Sequence, residues 1–198
     1  TLFPYTTLFR SGTNLSLEDL VIIARAKPSD VKVTISPKAW ERMQRSRQVV
    51  LDIVKKGKPV YGINTGFGAL ASKQIADKDL GQLQYNLIRS HCTGVGAPFS
   101  REVTRAIMLS RANCLIQGFS GVTPETIKLL LDMINHGINP VIPEKGSVGA
   151  SGDLAPLAHM AAAMIGTSPL TARFASMPGI SRRLISFVPS KMRFTRAS

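Results

Sequence analysis

Residues 146 to 160 read GSVGASGDLAPLAHM, and this stretch constrains the fold more than any other part of the chain. Glycines at 146, 149 and 152 leave the backbone of the loop with few side chains in front of it. Asp153 then stands where a helix cap belongs, and it predicts a helix from Leu154 to Ile165, with Pro156 in the first turn and Gly166 beyond the end. The sequence therefore places a bare loop, with Ser151 at its centre, directly before a helix N-terminus.

The chain from residue 16 to residue 166 reads as helices joined by short loops. Polar N-cap residues and terminal glycines mark the expected boundaries. The predicted N-caps are Ser16, Ser36, Ser100 and Thr123, one more helix begins after Ala76-Asp77, and the predicted ends lie near Gly57, Ser90, Gly118 and Gly137. Strand signals are confined to 31–35 and 59–63. The predicted fold class is mainly α, with short strands.

Two loops are rich in glycine: residues 61–68 and residues 140–152. Glycine permits backbone conformations and close approaches that other residues forbid. Functional side chains tend to lie on loops held by a rigid scaffold, so we expect a site at these two loops. In the first predicted helix, an apolar face is expected at Leu17, Leu20, Val21 and Ala24.

The two ends of the chain differ from its middle. Residues 1–12 contain TLFPYTTLFRS, which has no period and resembles translated vector or adapter sequence, so we leave it out of the predicted fold. Residues 167–198 carry six Lys or Arg residues and no acid. They read either as an out-of-frame or truncated ending or as a basic, disordered tail. The predicted folded domain is residues 13–166.

The net charge of +13 and the pI near 10.4 invite a nucleic-acid-binding interpretation. The distribution argues against it, because residues 13–166 hold 18 basic and 12 acidic residues with no basic cluster interleaved with aromatics. No apolar run approaches the roughly 18 residues of a membrane span. Cys92 and Cys114 form no disulfide framework, and no His/Cys spacing suggests a metal site. These features predict a cytoplasmic protein without nucleic acid, membrane or metal.

Several chemistries could use the loop around Ser151. Phosphate binding is not supported, because the glycines are spaced Gly-x-x-Gly-x-x-Gly rather than GxGxxG and no Gly-Lys-Ser/Thr follows. A serine nucleophile would want a GxSxG turn, and Ala150-Ser151-Gly152 lacks its first glycine, while His159 lies two helical turns further on. A tight turn without chemistry is the plainest interpretation.

A self-condensation suits these residue types better. If the amide nitrogen of Gly152 attacks the carbonyl of Ala150 and two waters are lost, the triad closes to a five-membered ring. Ser151 then becomes an exocyclic methylene, which is an electrophile. Gly152 leaves the attacking nitrogen unhindered, and Ala150 adds little bulk beside the attacked carbonyl. The following helix N-terminus favours negative charge on such a ring.

The whole motif resembles the signature of the aromatic amino-acid ammonia-lyases and aminomutases. Three more stretches resemble the same family in the family's order: VYGINTGFG at 60–68, NLIRSHCTGVG at 86–96 and SRANCLIQGFSGV at 110–122. The resemblance covers about residues 14 to 166. It implies the N-terminal, methylidene-forming part of the helical fumarase/aspartase-like ammonia-lyase fold. It also implies a 4-methylidene-imidazol-5-one (MIO) cofactor made from Ala150, Ser151 and Gly152.

The resemblance assigns roles to three more residues. Tyr61 matches the tyrosine that removes the β-proton of the substrate. Ser90 and His91 match the pair that faces the substrate side chain in this family. Histidine lyases resemble this chain there, with serine followed by histidine. An imidazole there would lack a partner beside a plain phenyl ring, which favours L-histidine as substrate and urocanate as product. Of the other histidines, His136 reads as a helix C-terminal residue and His159 as core or support behind the site.

Family members are much longer, supply further substrate-binding residues after this region, and are homotetramers. The resemblance therefore implies a tetramer for the full-length protein and a chain that is catalytically incomplete alone. Tyrosine or phenylalanine as substrate, an aminomutase reaction, and a non-catalytic helical binding module remain open as alternatives.

Overall fold

The structure, a computed structural model, describes residues 7–11, 15–149 and 152–167, with the backbone only for 7–11. The helices are α1 Leu17–Arg25, α2 Pro37–Lys56, α3 Leu80–His91, α4 Arg101–Ile116, α5 Pro124–Asn135 and α6 Leu154–Met164. The strands are β1 Thr7–Ser11, β2 Val31–Ile35, β3 Val95–Pro98 and β4 Pro143–Lys145. The predicted mainly α fold class is confirmed. In the described residues no helix is long and apolar enough to cross a membrane.

The predicted helix boundaries are confirmed by their caps. Ser16 and Asp19 form a reciprocal capping box at the start of α1. The hydroxyl of Ser36 accepts a hydrogen bond from Ala39 at the start of α2, and Gly57 ends that helix with φ of 67°. Ser100 and Thr123 cap α4 and α5 in the same way. Local sequence alone therefore fixes where these helices begin.

The predicted apolar face of α1 is only partly right. Leu17 is 70% exposed and Val21 is 39% exposed, whereas Ile23 and Ala24 are buried. Helix α1 packs against α4, and its buried residues lie at its C-terminal end. Helix α1 has only nine residues, and its contact with α4 is made at one end. The position along the helix therefore decides which side chains are buried, more than the apolar face does.

The strand predictions are half right. Residues 31–35 form β2 as predicted, but residues 59–63 do not form a strand. The side chain of Asn64 accepts a hydrogen bond from the Val60 amide and donates one to the Lys58 carbonyl, so it takes backbone groups that a strand would pair. Strand β1 pairs in parallel with β2, Thr7 opposite Val31. Part of residues 1–12 thus pairs with β2, and the foreign origin of this segment stays a prediction.

The described chain divides into two compact units. The first holds the residues up to Leu83 together with Ser100–Ile138. Its core lies where α4, α5 and β2 meet, around Met108, Leu109, Ile127, Leu130 and Ile134. The side chain of Asn135 pairs with both backbone groups of Val33, accepting from its N–H at 2.8 Å and donating to its carbonyl at 2.9 Å. That amide fastens β2 to the end of α5.

Arg105 is a buried cation in this core, with 1% of its surface exposed. Its guanidinium donates to the carbonyls of Ile23 at 3.1 Å, Ala24 at 3.1 Å and Ile134 at 2.8 Å. These carbonyls lie at the C-terminal ends of α1 and α5, where the helix dipole favours a cation. Burial and, to a smaller extent, Arg101 lower the pKa of Arg105, although a guanidinium remains charged at neutral pH.

Replacing Arg105 with methionine is expected to destabilise the chain by about 3 kcal/mol, because three buried carbonyls lose charge-assisted hydrogen bonds. The measurement is the urea midpoint of unfolding. Arg101→Met is the matched control, since Arg101 also donates to helix-end carbonyls, of Arg25 and Ala26, but is exposed. The control should cost less than about 1 kcal/mol. Equal losses for the two variants would contradict a special role for the buried guanidinium.

The second unit holds Gln84–Phe99 and the described residues from Asn139 onward. Strands β3 and β4 pair antiparallel, with Val95 opposite Lys145 and Pro98 opposite Pro143. The Phe99 amide donates to the Ile142 carbonyl at 2.9 Å and extends this pairing. Helix α6 packs beside β4. Its buried alanines are Ala155, Ala158, Ala162 and Ala163.

Candidate functional site

The glycine-rich loop at 61–68 belongs to the first unit and presents Tyr61 to solvent. The side chain of Tyr61 is 63% exposed. Its ring meets that of Phe67 edge to face, with the centroids 5.9 Å apart. Tyr61 is thus accessible at the loop surface rather than packed into the core.

Asn64 holds this loop in shape, a role that the sequence analysis missed. It is 1% exposed and bridges the Val60 amide and the Lys58 carbonyl. The loop is closed by hydrogen bonds from the Gly66 amide to the Lys73 carbonyl and from the Ile75 amide to the Asn64 carbonyl. A Cβ at Gly66 would lie 2.6 Å from that of Leu70. The available signal was an asparagine between glycines, a residue that bonds its own backbone in turns.

Ser90 and His91 lie together at the end of α3, in the second unit. Nδ1 of His91 lies 2.8 Å from the Leu87 carbonyl and 3.0 Å from Oγ of Ser90. A carbonyl only accepts, so Nδ1 carries a proton, and in the neutral form of the ring Nε2 then carries the lone pair. Among the described residues no hydrogen bond reaches Nε2. His91 therefore offers an acceptor nitrogen beyond the helix end.

The loop that leads to the predicted triad is tightly packed at one end and open at the other. A Cβ at Gly146 would lie 2.9 Å from Cα of Gly94. At Gly152, by contrast, φ is 87° and no atom of the described residues lies within 4 Å of a Cβ position. Ala150 and Ser151 lie outside the described residues.

Asp153 stands at the N-cap of α6 as predicted, but its side chain makes no capping hydrogen bond. Its carboxylate instead accepts a hydrogen bond from the hydroxyl of Ser147. The prediction of a capping aspartate is right in position and wrong in contact, because a loop hydroxyl competes for the carboxylate. The first-turn amides of α6 are therefore left without their usual side-chain acceptor.

The remaining histidines differ in role. Nδ1 of the exposed His136 lies 2.7 Å from the Asp132 carbonyl at the end of α5, as predicted for a helix C-terminal residue. His159 on α6 is half-buried, and Nε2 accepts a hydrogen bond from the Gly94 amide at 3.1 Å. Burial lowers the pKa of His159, in keeping with a neutral ring. Within 15–149 and 152–167 no three His, Cys, Asp or Glu side chains gather as a metal site would require.

Comparison with known proteins identifies relatives of this arrangement. Residues 15–182 match the family described as aromatic amino acid lyase. The chain is 56% identical over 155 residues to a histidine ammonia-lyase of Caldanaerobacter subterraneus subsp. tengcongensis, covering 78% of this chain and 30% of that protein. The chain therefore spans about a third of the length of the curated relatives it matches.

Solved structures agree with the sequence relatives. Histidine ammonia-lyase from Trypanosoma cruzi superimposes with a TM-score of 0.76 at 38% identity, over 83% of this chain and 31% of that one. Tyrosine aminomutase from Streptomyces globisporus superimposes with a TM-score of 0.76 at 34% identity, over 85% of this chain and 31% of that one. The fold described above is thus common to proteins with two different reactions.

Proposed function

This chain belongs to the aromatic amino acid lyase family, and from that premise we propose that the protein eliminates ammonia from L-histidine to give trans-urocanate. The observation that carries the choice of substrate is the acceptor nitrogen of His91. Nε2 can accept a hydrogen bond from a ring N–H, whereas a phenyl ring would leave that nitrogen unpaired. The 56% identity to a histidine ammonia-lyase supports the same choice.

The residues around the proposed cofactor fit a self-formed ring. At Gly152 the backbone is turned to φ of 87°, with no described atom within 4 Å of its Cβ position, a conformation that glycine permits and that leaves its amide nitrogen unhindered. The Asp153 carboxylate accepts a hydrogen bond from Ser147 and none from the first-turn amides of α6. Those amides therefore remain available to stabilise negative charge that develops on the ring. The MIO group formed from Ala150, Ser151 and Gly152 would supply an electron-poor methylene that makes the substrate amine a leaving group.

Tyr61 is proposed as the base that takes the β-proton of the substrate. Three features of the loop support the role. The phenol is exposed, its ring is steadied against Phe67, and the buried Asn64 fixes the backbone on which it stands. A base acts only from a defined position, so this rigidity matters as much as accessibility.

The setting of this reaction is also proposed. We place the activity in the folded domain at 13–166. The active protein is proposed to be a cytoplasmic homotetramer that also requires residues beyond this chain. It is proposed to bind neither nucleic acid nor membrane. The chain alone should then turn over histidine far below a normal enzymatic rate. Histidine turnover by the purified 198-residue chain at a normal enzymatic rate would contradict this part of the proposal.

A chimaera tests the function directly. Residues 15–167 replace the matching part of the Caldanaerobacter histidine ammonia-lyase, so that the triad, Tyr61 and His91 come from this chain. We expect loss of two waters in the intact mass and conversion of L-histidine to urocanate, followed by its ultraviolet absorbance. Coumarate from tyrosine or cinnamate from phenylalanine as the main product would overturn the choice of substrate. An unmodified mass without any product would favour a non-catalytic binding module.

An aminomutase acting on tyrosine is the second candidate. It is favoured by the similarity to tyrosine aminomutase, whose TM-score equals that of the histidine enzyme. A phenol hydroxyl can also donate to Nε2 of His91, so the site chemistry permits it. In the same chimaera, formation of a β-amino acid from tyrosine without release of ammonia would identify this reaction.

A further inference from the structure

One contact of the second unit connects two predicted parts of the site. His159, on α6 just after the triad, accepts a hydrogen bond at Nε2 from the Gly94 amide at 3.1 Å, across 65 residues of sequence. Gly94 lies three residues after His91, the predicted substrate-facing residue. An N–H only donates, so Nε2 of His159 must carry the lone pair and Nδ1 the proton. The tautomer is the same as that of His91, but here Nε2 is occupied.

The packing at this contact leaves no spare room. A Cβ at Gly94 would lie 3.0 Å from Nε2 of His159 and 3.2 Å from Cβ of Pro143. A Cβ at Gly146 would lie 2.9 Å from Cα of Gly94 and 3.1 Å from Cβ of Ala155. Three segments therefore meet within van der Waals contact: the turn after α3, the approach to the 146–152 loop, and the first turns of α6.

The chain turns sharply between His91 and Gly94. The Cys92 amide donates to the Arg89 carbonyl at 3.2 Å, and the Thr93 amide donates to the His91 carbonyl at 2.9 Å. The peptide group of Gly94 is thus the first after this turn that bonds to another segment. The hydrogen bond to the Gly94 amide therefore also restrains the orientation of the C-terminal end of α3.

From this geometry we propose that His159 is a positioning residue, which fixes the Ser90–His91 pair relative to the helix that follows the triad by anchoring the Gly94 backbone. The proposal rests on the proposed function, since the position of His91 matters to catalysis only if it faces the substrate. His159 itself touches no reacting atom in this scheme. A shift of about 1 Å in a substrate-facing group can cost a large factor in rate, so such an anchor has a clear purpose.

Two variants separate anchoring from simple packing. Glutamine carries a hydrogen-bonding atom at the distance of Nε2 along the side chain, whereas asparagine carries one at the distance of Nδ1. His159→Gln can therefore still accept from Gly94, and His159→Asn cannot reach it. Both are neutral and polar, but asparagine is one methylene shorter, so a third variant controls for volume. His159→Leu is close to glutamine in size and carries no acceptor; anchoring predicts that it behaves like His159→Asn, whereas space filling predicts that it behaves like His159→Gln.

The experiment is nuclear magnetic resonance on the whole 198-residue chain, with ¹⁵N-labelled backbone and ¹³C-labelled histidine rings. Amide exchange at Gly94 and the ring signals of His91 are the two readouts, and the amide of the buried Ala162 in α6 is the internal reference. In His159→Asn we expect exchange at Gly94 to rise about two- to tenfold over that of Ala162, the equivalent of one lost hydrogen bond. The His91 ring signals should shift, and His159→Gln should restore both readouts.

Three results would overturn the proposal. They are unchanged Gly94 exchange in His159→Asn, unchanged His91 ring signals despite faster Gly94 exchange, and failure of glutamine to restore what asparagine loses. A fourth is a rise of the same factor at Ala162, which would show general loosening. None of these readouts depends on turnover. A chimaera that makes no product therefore refutes the proposed function, while failure of this experiment refutes only the anchoring.

Discussion

Replacing Ser151 with alanine is expected to abolish ammonia elimination in the chimaera, lowering kcat by at least about a thousandfold. Without the Ser151 hydroxyl there is no group to lose, so the electrophilic methylene cannot form and no covalent route remains. Intact mass and product absorbance are measured on the same preparation. The wild type should show the loss of two waters from residues 150–152, and the variant should not.

Ser147→Ala is the matched control for this change. Ser147 lies in the same loop and donates its hydroxyl to Asp153. Its loss removes one loop contact but no atom of the ring, so we expect the dehydration to persist and kcat to fall less than about tenfold. Full activity in Ser151→Ala would refute the self-formed electrophile. Equal loss of dehydration in the two variants would instead point to collapse of the loop.

Replacing Tyr61 with phenylalanine is the second large effect. We expect kcat to fall by about a hundredfold to ten-thousandfold with KM little changed, since the hydroxyl acts in the transition state and the ring remains packed against Phe67. Dehydration of the triad should be unaffected. The measurement is steady-state kinetics of urocanate formation in the chimaera.

Tyr85→Phe provides the comparison for Tyr61→Phe. The Tyr85 ring lies under the guanidinium of Arg89, with 5.6 Å from the guanidinium carbon to the ring centroid, and the substitution keeps that ring. We expect its kcat to stay within about threefold of the wild type. A large rise in KM for Tyr61→Phe with unchanged kcat would show that the phenol binds the substrate and does not take the proton.

The helices were predictable because their signals are local. Ser36 before Pro37 and Gly57 after Lys56 decide the ends of α2 through contacts within a few residues. The pairing of β3 with β4 was not predictable, because Val95 and Lys145 are far apart in sequence and neither strand alternates polar and apolar residues. The strand predicted at 59–63 failed because Asn64 bonds its own backbone.

In the candidate site, too, the residues within motifs were predictable from sequence, whereas the contacts between distant segments were not. Tyr61, Ser90 and His91 were found by their resemblance to family motifs, and their roles stay predictions. The partner of His159 could not be read from sequence, because its choice depends on the turn that brings Gly94 to α6. Arg105 also escaped notice, since a charged residue is expected at the surface unless two helix ends converge on it.

Because Arg105 bonds to the carbonyls at the end of α1, it links the folding of α1 to the synthesis of α4. During synthesis α1 leaves the ribosome before α4, but the carbonyls at its end are satisfied by a side chain 81 and 82 residues later. Nine residues are too few for a stable isolated helix in water. We therefore expect the nascent segment at 17–25 to form a stable helix only after α4 has been made, and ribosome stalling before residue 105 to leave it open to proteases and chaperones.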